Sequence, residues 1–402
     1  MDTTRPEPLS YPFNRSDTLE LDERYALLRA EPSMARVKLA YGDEAWLATR
    51  YADARFVLGD ARFSRVLPPG RDEPRLGEQN LTAGMLSMDP PEQTRIRRLA
   101  TKAFTNRGVE ALRAVAVEVA DDLVTRMIEE GPPADLVANF AVPLPVTVIC
   151  TLLGVPVEDH PLFAEWSEGF LSATGLTPAK IAEHQGNLWQ YMAKLLAERT
   201  TDPKDDLLSA LAQVRESDDR FTGQEILQLS AGLLAAGHET TMSQIPNFVL
   251  TLVQHPAELA RIKEDPAIIP QAVEELMRYV PLGLGSAFPR YAKEDVEVGG
   301  VLVEAGEAVL AAIGSANRDD TAFPHADTLD VTRQGGTGPH IGFSHGAHHC
   351  LGAPLARMEL QVALSTLVGR LPNLRLAVPE EQLRWKQGGF MRRLTEMPVS
   401  WG

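Results

Sequence analysis

The feature that most constrains the fold is an apolar stretch that begins at Thr222 and continues to about Gln254. Thr222 and Glu225 have the spacing of a capping box, in which two side chains satisfy backbone N–H groups at the start of a helix. Pro256 follows the last apolar turn, and proline cannot continue a helix. The stretch therefore predicts a helix of about 33 residues, or roughly 50 Å at helical rise. Because it is apolar on all sides, we expect it to cross the middle of the molecule.

The rest of the chain is predicted to be mainly α-helical with small β-sheets. Helical periodicity dominates from Glu92 to about Gly369. Apolar pairs on either side of residues 41–44 predict a hairpin, and further strand signals lie at residues 296–303 and 308–313. We expect the sheets to lie at one side of a helical body.

Two further features concern the organisation of the chain. Residues 62–87 are rich in glycine, proline and charge, which is typical of a functional loop or lid. A shorter helix is predicted to start near Pro270 and to stop at Pro281, and a last helix follows Cys350. Because we find no internal repeat and no low-complexity linker, we predict a single domain over residues 1–402.

Composition argues against several classes of protein. The formal net charge of −16 is unsuited to nucleic acid, which requires a basic face to neutralise phosphates. The N-terminal segment lacks the apolar core of a signal peptide, and no apolar run is long enough to span a bilayer. With only Cys150 and Cys350, a disulfide framework is implausible. We therefore expect a soluble, cytoplasmic monomer that binds neither nucleic acid nor membrane.

Cys350 stands at the mouth of the last predicted helix. Pro354 lies in the first turn of that helix, whose N-terminus offers unpaired N–H groups and partial positive charge to a thiolate. Gly352 leaves room for backbone donors beside the sulfur. Gly346 allows a sharp turn that brings Phe343 alongside.

Three interpretations of Cys350 follow from the residues. The first is a buried free cysteine, which is what we expect of Cys150 in its apolar run. The second is a zinc site shared with nearby histidines, although the adjacent His348, His349 and Cys350 could not easily surround one ion. The third is a thiolate ligand of haem iron.

The pattern Phe343-x-x-Gly346-x-x-x-Cys350-x-Gly352 resembles the haem-binding signature of the cytochrome P450 family. The chain resembles soluble bacterial members over about residues 10–400, with four motifs in the family's order. The resemblance implies a haem-thiolate monooxygenase with a single-domain fold and the long helix lying over the haem. It implies haem b with Cys350 as the axial iron ligand, and Phe343 and Gly352 beside it. Such an enzyme inserts one oxygen atom of O2 into a lipophilic small molecule of secondary metabolism, by hydroxylation or epoxidation.

The long helix carries the second motif, Ala236-Gly237-His238-Glu239-Thr240. Taken alone, it is consistent with a core helix whose hydroxyl groups bond back to the backbone. A zinc-protease helix is excluded because Met242 stands where the second histidine would be. By resemblance, Ala236 and Gly237 leave room for dioxygen, while Glu239 and Thr240 are the catalytic residues that relay protons to it.

Two further motifs match the family. Glu275 and Arg278 imply a buried pair that is joined by Arg333 and locks the cysteine loop. Haem propionates need cations and hydrogen-bond donors, and the resemblance assigns this role to Gln93, Arg97, Arg290 and His348. Gln93 departs from the histidine of many bacterial members, so it can only donate a hydrogen bond. Ser344 replaces a frequent glycine after Phe343.

The substrate pocket is also implied by resemblance. Its residues are mainly apolar, which favours a lipophilic substrate of moderate size. They are Leu233, Ala236, Leu284, Ala287 and Phe390.

The source of electrons lies outside the chain. No strand is followed by the Gly-x-Gly-x-x-Gly pattern of a nucleotide site. The resemblance therefore implies a separate ferredoxin or flavodoxin, which a reductase reduces with NAD(P)H.

Two alternative functions stay open from the sequence. One is a non-catalytic haem-binding sensor on the same fold, against which Glu239 and Thr240 argue because a sensor needs no proton relay. The other is a cysteine hydrolase in which His348 or His349 activates Cys350.

Overall fold

The computed structural model describes residues 7–78, 84–101, 104–171, 176–217, 221–286 and 288–402. Over this part of the chain the fold is mainly α-helical with small sheets, as predicted. The helices are α1 (Arg24–Ala30), α2 (Tyr51–Gly59), α3 (Glu92–Thr101), α4 (Asn106–Glu130), α5 (Pro143–Leu153), α6 (His160–Leu171), α7 (Pro178–Thr201), α8 (Leu207–Ser217), α9 (Gly223–Gln254), α10 (Pro256–Glu264), α11 (Ile269–Tyr279), α12 (Ile313–Ala316) and α13 (Ala353–Arg370).

The strands are short. They are β1 (Leu9–Ser10), β2 (Ala35–Lys38), β3 (Glu44–Ala48), β4 (Phe63–Ser64), β5 (Ala134–Asp135), β6 (Arg290–Ala292), β7 (Val296–Val298), β8 (Val301–Val303), β9 (Ala308–Ala311), β10 (Arg375–Leu376), β11 (Arg384–Trp385), β12 (Leu394–Glu396) and β13 (Pro398–Ser400). The predicted hairpin is confirmed, because β2 and β3 pair antiparallel around residues 39–43. The strand signal at residues 296–303 is a second hairpin, since the chain reverses at Gly299 and Gly300 between β7 and β8.

The contacts of the chain divide it into two compact units, each described here by itself. The sheet unit contains residues 1–92, 274–350 and 390–392, and the helical unit contains residues 93–273, 351–389 and 393–402. The single-domain organisation stays a prediction. Within the described residues, no helix is long and apolar enough to cross a membrane.

Helix α9 is the predicted long helix, and its start is confirmed. The hydroxyl of Thr222 accepts a hydrogen bond from the Glu225 N–H group at 3.1 Å, and the Glu225 carboxylate accepts one from the Thr222 N–H group at 2.8 Å. The helix packs against α5, α6, α7, α10 and α13 of the helical unit. Every residue from Thr241 to Leu252 is buried. Neighbours on several sides explain why this sequence is apolar around its whole circumference.

The sheet unit is built on a six-stranded sheet in the order β1-β2-β3-β9-β6-β4. Successive side chains of a strand point to opposite faces. Ala45 and Leu47 of β3 belong to one buried cluster, whereas Trp46 and Ala48 belong to another on the opposite face. Both faces of this strand are covered, so its sequence is continuously apolar rather than alternating.

A buried ionic cluster ties α11 to the loop that follows α12. The guanidinium of Arg278 donates two hydrogen bonds to the carboxylate of Glu275, at 2.7 and 2.8 Å, and Arg333 donates to the same carboxylate at 3.1 Å. The side chains of Glu275 and Arg278 are each 2% exposed. The remaining N–H groups of both arginines donate to backbone carbonyls of residues 317 and 324–328. The structure therefore brings the three predicted structural residues together.

We predict that Glu275→Gln lowers the free energy of unfolding by about 3 kcal/mol, because it leaves the buried Arg278 charge without its counter-charge. The neighbouring Glu274 is a matched control. It is 40% exposed and pairs with His340 at 3.0 Å, so Glu274→Gln should cost less than about 1 kcal/mol. Urea unfolding of both variants measures the difference. Equal losses would show that the buried cluster does not stabilise this unit.

Candidate active site

The loop before Cys350 is a tight turn in the sheet unit. The N–H group of Cys350 donates to the carbonyl of Phe343 at 2.8 Å. Gly346 turns the chain with a φ of 74°, and a Cβ atom there would lie 2.5 Å from the carbonyl oxygen of Leu58. Phe343 is buried, whereas Cys350 is exposed. The turn therefore anchors the phenylalanine and leaves the cysteine at the surface of the unit.

The two cysteines lie in opposite environments. Cys150 is buried in α5, and burial raises the pKa of its thiol to about 12. Cys350 is exposed and stands three residues before α13 begins at Ala353, with Gly352 as its N-cap. A helix N-terminus favours negative charge, and the thiolate is the form that binds metal. Of the two cysteines, Cys350 has the environment suited to ligation.

Two buried arginines, Arg65 and Arg290, lie with His348 around the same turn. Arg290 is buried, and burial together with the guanidinium of Arg65 lowers its pKa to about 9. The pKa of His348 is lowered to about 4 by burial and by these two arginines. Its Nε2 atom is buried without a hydrogen-bond partner. Asp89 is the opposing charge that acts on Arg290 and His348, and Glu73 also opposes Arg65. The buried guanidinium of Arg290 and the unpartnered Nε2 atom of His348 fit the propionate carboxylates of a haem, because a buried charge needs an opposite charge.

Arg65 was not among the predicted residues. It follows β4 and is 4% exposed. Its Nε donates to the Leu86 carbonyl at 2.9 Å, its backbone N–H donates to the Asp89 carboxylate at 2.8 Å, and its guanidinium lies over the Phe288 ring at 5.2 Å. No motif marks this arginine in the sequence, so only its burial beside Arg290 reveals it.

Helix α9 has one open face in an otherwise buried region of the helical unit. Leu233, Ala236 and Thr240 are three and four residues apart, so they lie on one side of the helix, and each keeps some exposure. The Thr240 hydroxyl donates to the Ala236 carbonyl at 3.1 Å. Gly237 faces α5 instead, where a Cβ atom would lie 2.8 Å from Ile149 Cδ1. The predicted catalytic threonine and two predicted pocket residues therefore share a face.

Glu239 adjoins this face but is buried, with 3% of its surface exposed. Its carbonyl accepts a hydrogen bond from the Ser243 hydroxyl at 2.7 Å, and its Oε1 atom lies 3.5 Å from Arg393 Nη1. The preceding His238 is also buried, and its Nδ1 atom bonds to the Leu234 carbonyl at 2.9 Å. Burial lowers the pKa of His238 to about 4, and Arg393 adds to this shift. His238 is therefore neutral near pH 7, and Arg393 is a cation that faces Glu239.

Helix α3 places Gln93 and Arg97 one turn apart. Gln93 is 1% exposed, and its Oε1 atom accepts a hydrogen bond from the Thr94 hydroxyl at 3.2 Å. Arg97 is half-buried. The spacing gives an amide and a guanidinium on one side of the helix, which is suited to carboxylate binding.

The predicted pocket residues of the sheet unit meet through the backbone. The Leu284 N–H group donates to the Phe390 carbonyl at 3.1 Å, and the Arg392 N–H group donates to the Leu282 carbonyl at 2.8 Å. Leu284 and Phe390 are both half-buried. Ala287, the remaining predicted pocket residue of this region, lies outside the described residues.

A second carboxyl group in the helical unit was not predicted to be unusual. Glu359 of α13 is fully buried, and burial raises its pKa well above the ordinary range, with the Thr241 hydroxyl offsetting part of the shift. Burial therefore disfavours the charged form of this carboxyl group. A single glutamate on an apolar helix face is its only sequence signal.

The predicted site residues thus fall into two groups by unit. The sheet unit holds Arg290, Phe343, His348 and Cys350. The helical unit holds Gln93, Arg97, Glu239, Thr240 and Gly352. Across the described part of the chain, His, Cys, Asp and Glu side chains form no group of three or more that could hold a metal ion.

Comparison with known proteins shows the family to which the chain belongs. The family model for cytochrome P450 matches residues 172–388. The mycinamicin IV hydroxylase/epoxidase of Micromonospora griseorubida is 52% identical over 398 residues, which are 99% of this chain and 100% of the relative. The nocardicin C N-oxygenase of Nocardia uniformis subsp. tsuyamanensis is 48% identical over 400 residues, again 99% and 100%. A mutant of the mixed-function P450 MycG, solved in complex with mycinamicin IV, aligns with a TM-score of 0.92 and 52% identity over 98% of this chain and 100% of that one.

The chain belongs to the cytochrome P450 family. It is a haem-dependent monooxygenase and therefore an oxidoreductase. The family implies haem with a cysteine thiolate ligand, O2 as co-substrate, and in general a ferredoxin and reductase as electron donors. This membership favours the haem-thiolate interpretation of the cysteine loop over a cysteine hydrolase.

Substitutions at two positions of the turn before Cys350 should change the free energy of unfolding in opposite directions. Ser344 has a φ of 66°, a conformation that costs an L-residue about 1–2 kcal/mol. Ser344→Gly should raise the free energy of unfolding by about 0.5–1 kcal/mol, because the loss of strain exceeds the entropy cost of glycine. Gly346→Ala should lower it by roughly 2 kcal/mol or more, because it adds strain and a clash. Urea unfolding compares both variants, and a shift of the same sign in both would contradict this account of the turn.

Proposed function

We propose that the Cys350 thiolate is the axial ligand of the haem iron. The observation that carries this is the turn in which the Cys350 N–H group donates a hydrogen bond to the Phe343 carbonyl. The buried guanidinium groups of Arg65 and Arg290 lie beside this turn. Along the chain Cys350 stands three residues before the start of α13, and a helix N-terminus favours the thiolate form of a nearby cysteine. Gly352, which lacks a side chain, leaves the backbone next to the sulfur open.

The propionates of the haem are proposed to bind Arg290, Arg65 and His348 in the sheet unit and Gln93 and Arg97 in the helical unit. The buried Nε2 atom of His348 is a donor suited to a carboxylate once it carries its proton. Arginine suits this role because its planar guanidinium binds carboxylates through paired hydrogen bonds. Arg65 extends the predicted set by one residue.

Glu239 and Thr240 are proposed to deliver protons. When bound, haem activates O2 for the insertion of one oxygen atom into the substrate. The overall reaction converts RH, O2, two electrons and two protons into ROH and H2O, so two protons must reach the site. The Thr240 hydroxyl donates to Ala236, which leaves its oxygen able to accept a hydrogen bond on the open face of α9. Glu239, behind it, is the neighbouring group that can exchange a proton.

The substrate is proposed to be a lipophilic natural product of secondary metabolism. The proposed pocket residues are apolar or small, and they are Leu233, Ala236, Leu284, Ala287 and Phe390. The relatives support this class, since their names record mycinamicin IV and nocardicin C as substrates. A pocket of this composition binds by apolar contact and orients its ligand with few polar groups.

Electrons are proposed to come one at a time from a ferredoxin or flavodoxin, which a reductase reduces with NAD(P)H. The sequence has no nucleotide-binding fingerprint of its own.

The proposal also covers the organisation of the chain. Glu275, Arg278 and Arg333 are proposed to lock the loop that carries Cys350, and residues 1–402 are proposed to form a single domain.

The ligand proposal is tested by spectroscopy with a matched pair of variants. We expect the reduced holoprotein under carbon monoxide to show a red-shifted Soret band that Cys350→Ala abolishes. Cys150→Ala should retain the band, because Cys150 is buried in α5 and lies outside the proposed site. Loss of the band in Cys150→Ala alone would overturn the assignment, as would a colourless protein from haem-replete cells.

The substrate and electron proposals are tested together. A panel of macrolides, terpenoids and aromatic polyketides, including mycinamicin IV, is screened for a shift of the haem from low to high spin. We expect at least one member to shift the spectrum and to give a product with one added oxygen atom when NADPH, ferredoxin and reductase are supplied. Omission of ferredoxin is the matched control and should prevent turnover. Spectral shifts without any product would contradict the proposed substrate class or the proposed electron donors.

A further inference from the structure

The side chain of Arg393 lies opposite Glu239, the acid of the proposed proton pathway. The two residues belong to different elements of the helical unit. Arg393 directly precedes β12 in the hairpin formed by β11 and β12. Its carbonyl accepts a hydrogen bond from the Lys386 N–H group at 2.8 Å, so the hairpin fixes its backbone. Its side chain is 16% exposed and reaches Glu239, whose side chain is 4% exposed.

The contact between the two side chains is close but not tight. Arg393 Nη1 lies 3.5 Å from Glu239 Oε1, whereas charge-assisted hydrogen bonds are usually about 2.7–2.9 Å long. A carboxylate buried to this degree is unstable without an opposite charge. His238, the next residue on α9, is neutral near pH 7 because burial lowers its pKa to about 4. The guanidinium can therefore stabilise the charge of Glu239 without locking its carboxylate in one geometry.

We propose that Arg393 is a positioning residue for proton delivery, acting through Glu239. It keeps the carboxylate in place on α9 while Glu239 gains and loses protons, and it does not itself touch substrate or dioxygen. This inference rests on the proposed role of Glu239. It adds a residue of the C-terminal hairpin that no motif of the sequence marks.

The test uses the holoenzyme with spinach ferredoxin, ferredoxin reductase and NADPH, without organic substrate. Under these conditions O2 is reduced to peroxide with two electrons and two protons, or to water with four of each. We expect Arg393→Gln to slow NADPH oxidation about tenfold, less than the roughly hundredfold loss that a misplacement of about 1 Å can cause, and to raise the share of peroxide. Arg393→Lys should restore part of the rate, because it keeps a cation opposite Glu239. The carbon monoxide spectrum should be unchanged in both.

A surface ion pair of the same hairpin supplies the control. Arg384 lies 3.7 Å from Glu396, with 78% of the arginine side chain exposed, and Arg384→Gln should leave the rate and the peroxide share unchanged. An Arg393→Gln enzyme that matches Arg384→Gln would overturn the inference.

A double-mutant cycle separates this inference from the proposed function. Glu239→Gln alone should slow the same reaction, and adding Arg393→Gln should have little further effect, because both changes break one pair. If Glu239→Gln leaves the reaction unchanged, the proposed role of Glu239 fails. If it slows the reaction and Arg393→Gln does not, only the role of Arg393 fails. The unfolding midpoints of the same four proteins report the pair directly, since a physical contact requires non-additive shifts.

Discussion

The desolvated carboxylate of Glu275 is the constraint on which the sheet unit depends. Two arginines converge on it, and their remaining N–H groups bind five carbonyls of the chain between α12 and the cysteine turn. A buried charge that loses its partner is far more costly than an exposed one. The segment that leads to Cys350 is therefore held by an ionic cluster rather than by regular secondary structure. Loss of one partner of this cluster should strongly destabilise the segment.

At the turn before Cys350 the buried charge is positive rather than negative. The chain is acidic overall, with a formal net charge of −16, yet the guanidinium groups of Arg65 and Arg290 are buried close to each other beside His348, with Asp89 and Glu73 as opposing charges. Surface acidity is screened by solvent, whereas buried cations are not. The proposed site of the haem propionates thus brings two buried guanidinium groups together inside an acidic protein.

In the helical unit, the mainly apolar helix α9 contains polar side chains whose hydrogen-bonding groups must be satisfied. Along α9, hydroxyl groups of Ser230, Thr240, Ser243 and Thr251 donate to carbonyls one turn earlier. Such local bonds satisfy the hydroxyls without partners from other elements. Charged groups have no such local solution, so Glu239 takes a partner from the C-terminal hairpin, and burial raises the pKa of Glu359.

The sequence by itself determined the features that depend on local chemistry. These include the capped start of α9, the end of α11 before Pro281, the hairpin of β2 and β3, and the turn at Gly346 that pairs Cys350 with Phe343. Short-range periodicity and steric limits are enough to specify them, and the signature pattern was sufficient to indicate the family. Only the tertiary structure decided that Arg65 joins Arg290, that Gly237 serves the packing of α5, and that Arg393 faces Glu239. In each case residues far apart in the chain meet, and their roles depend on burial and distance, which no local pattern encodes.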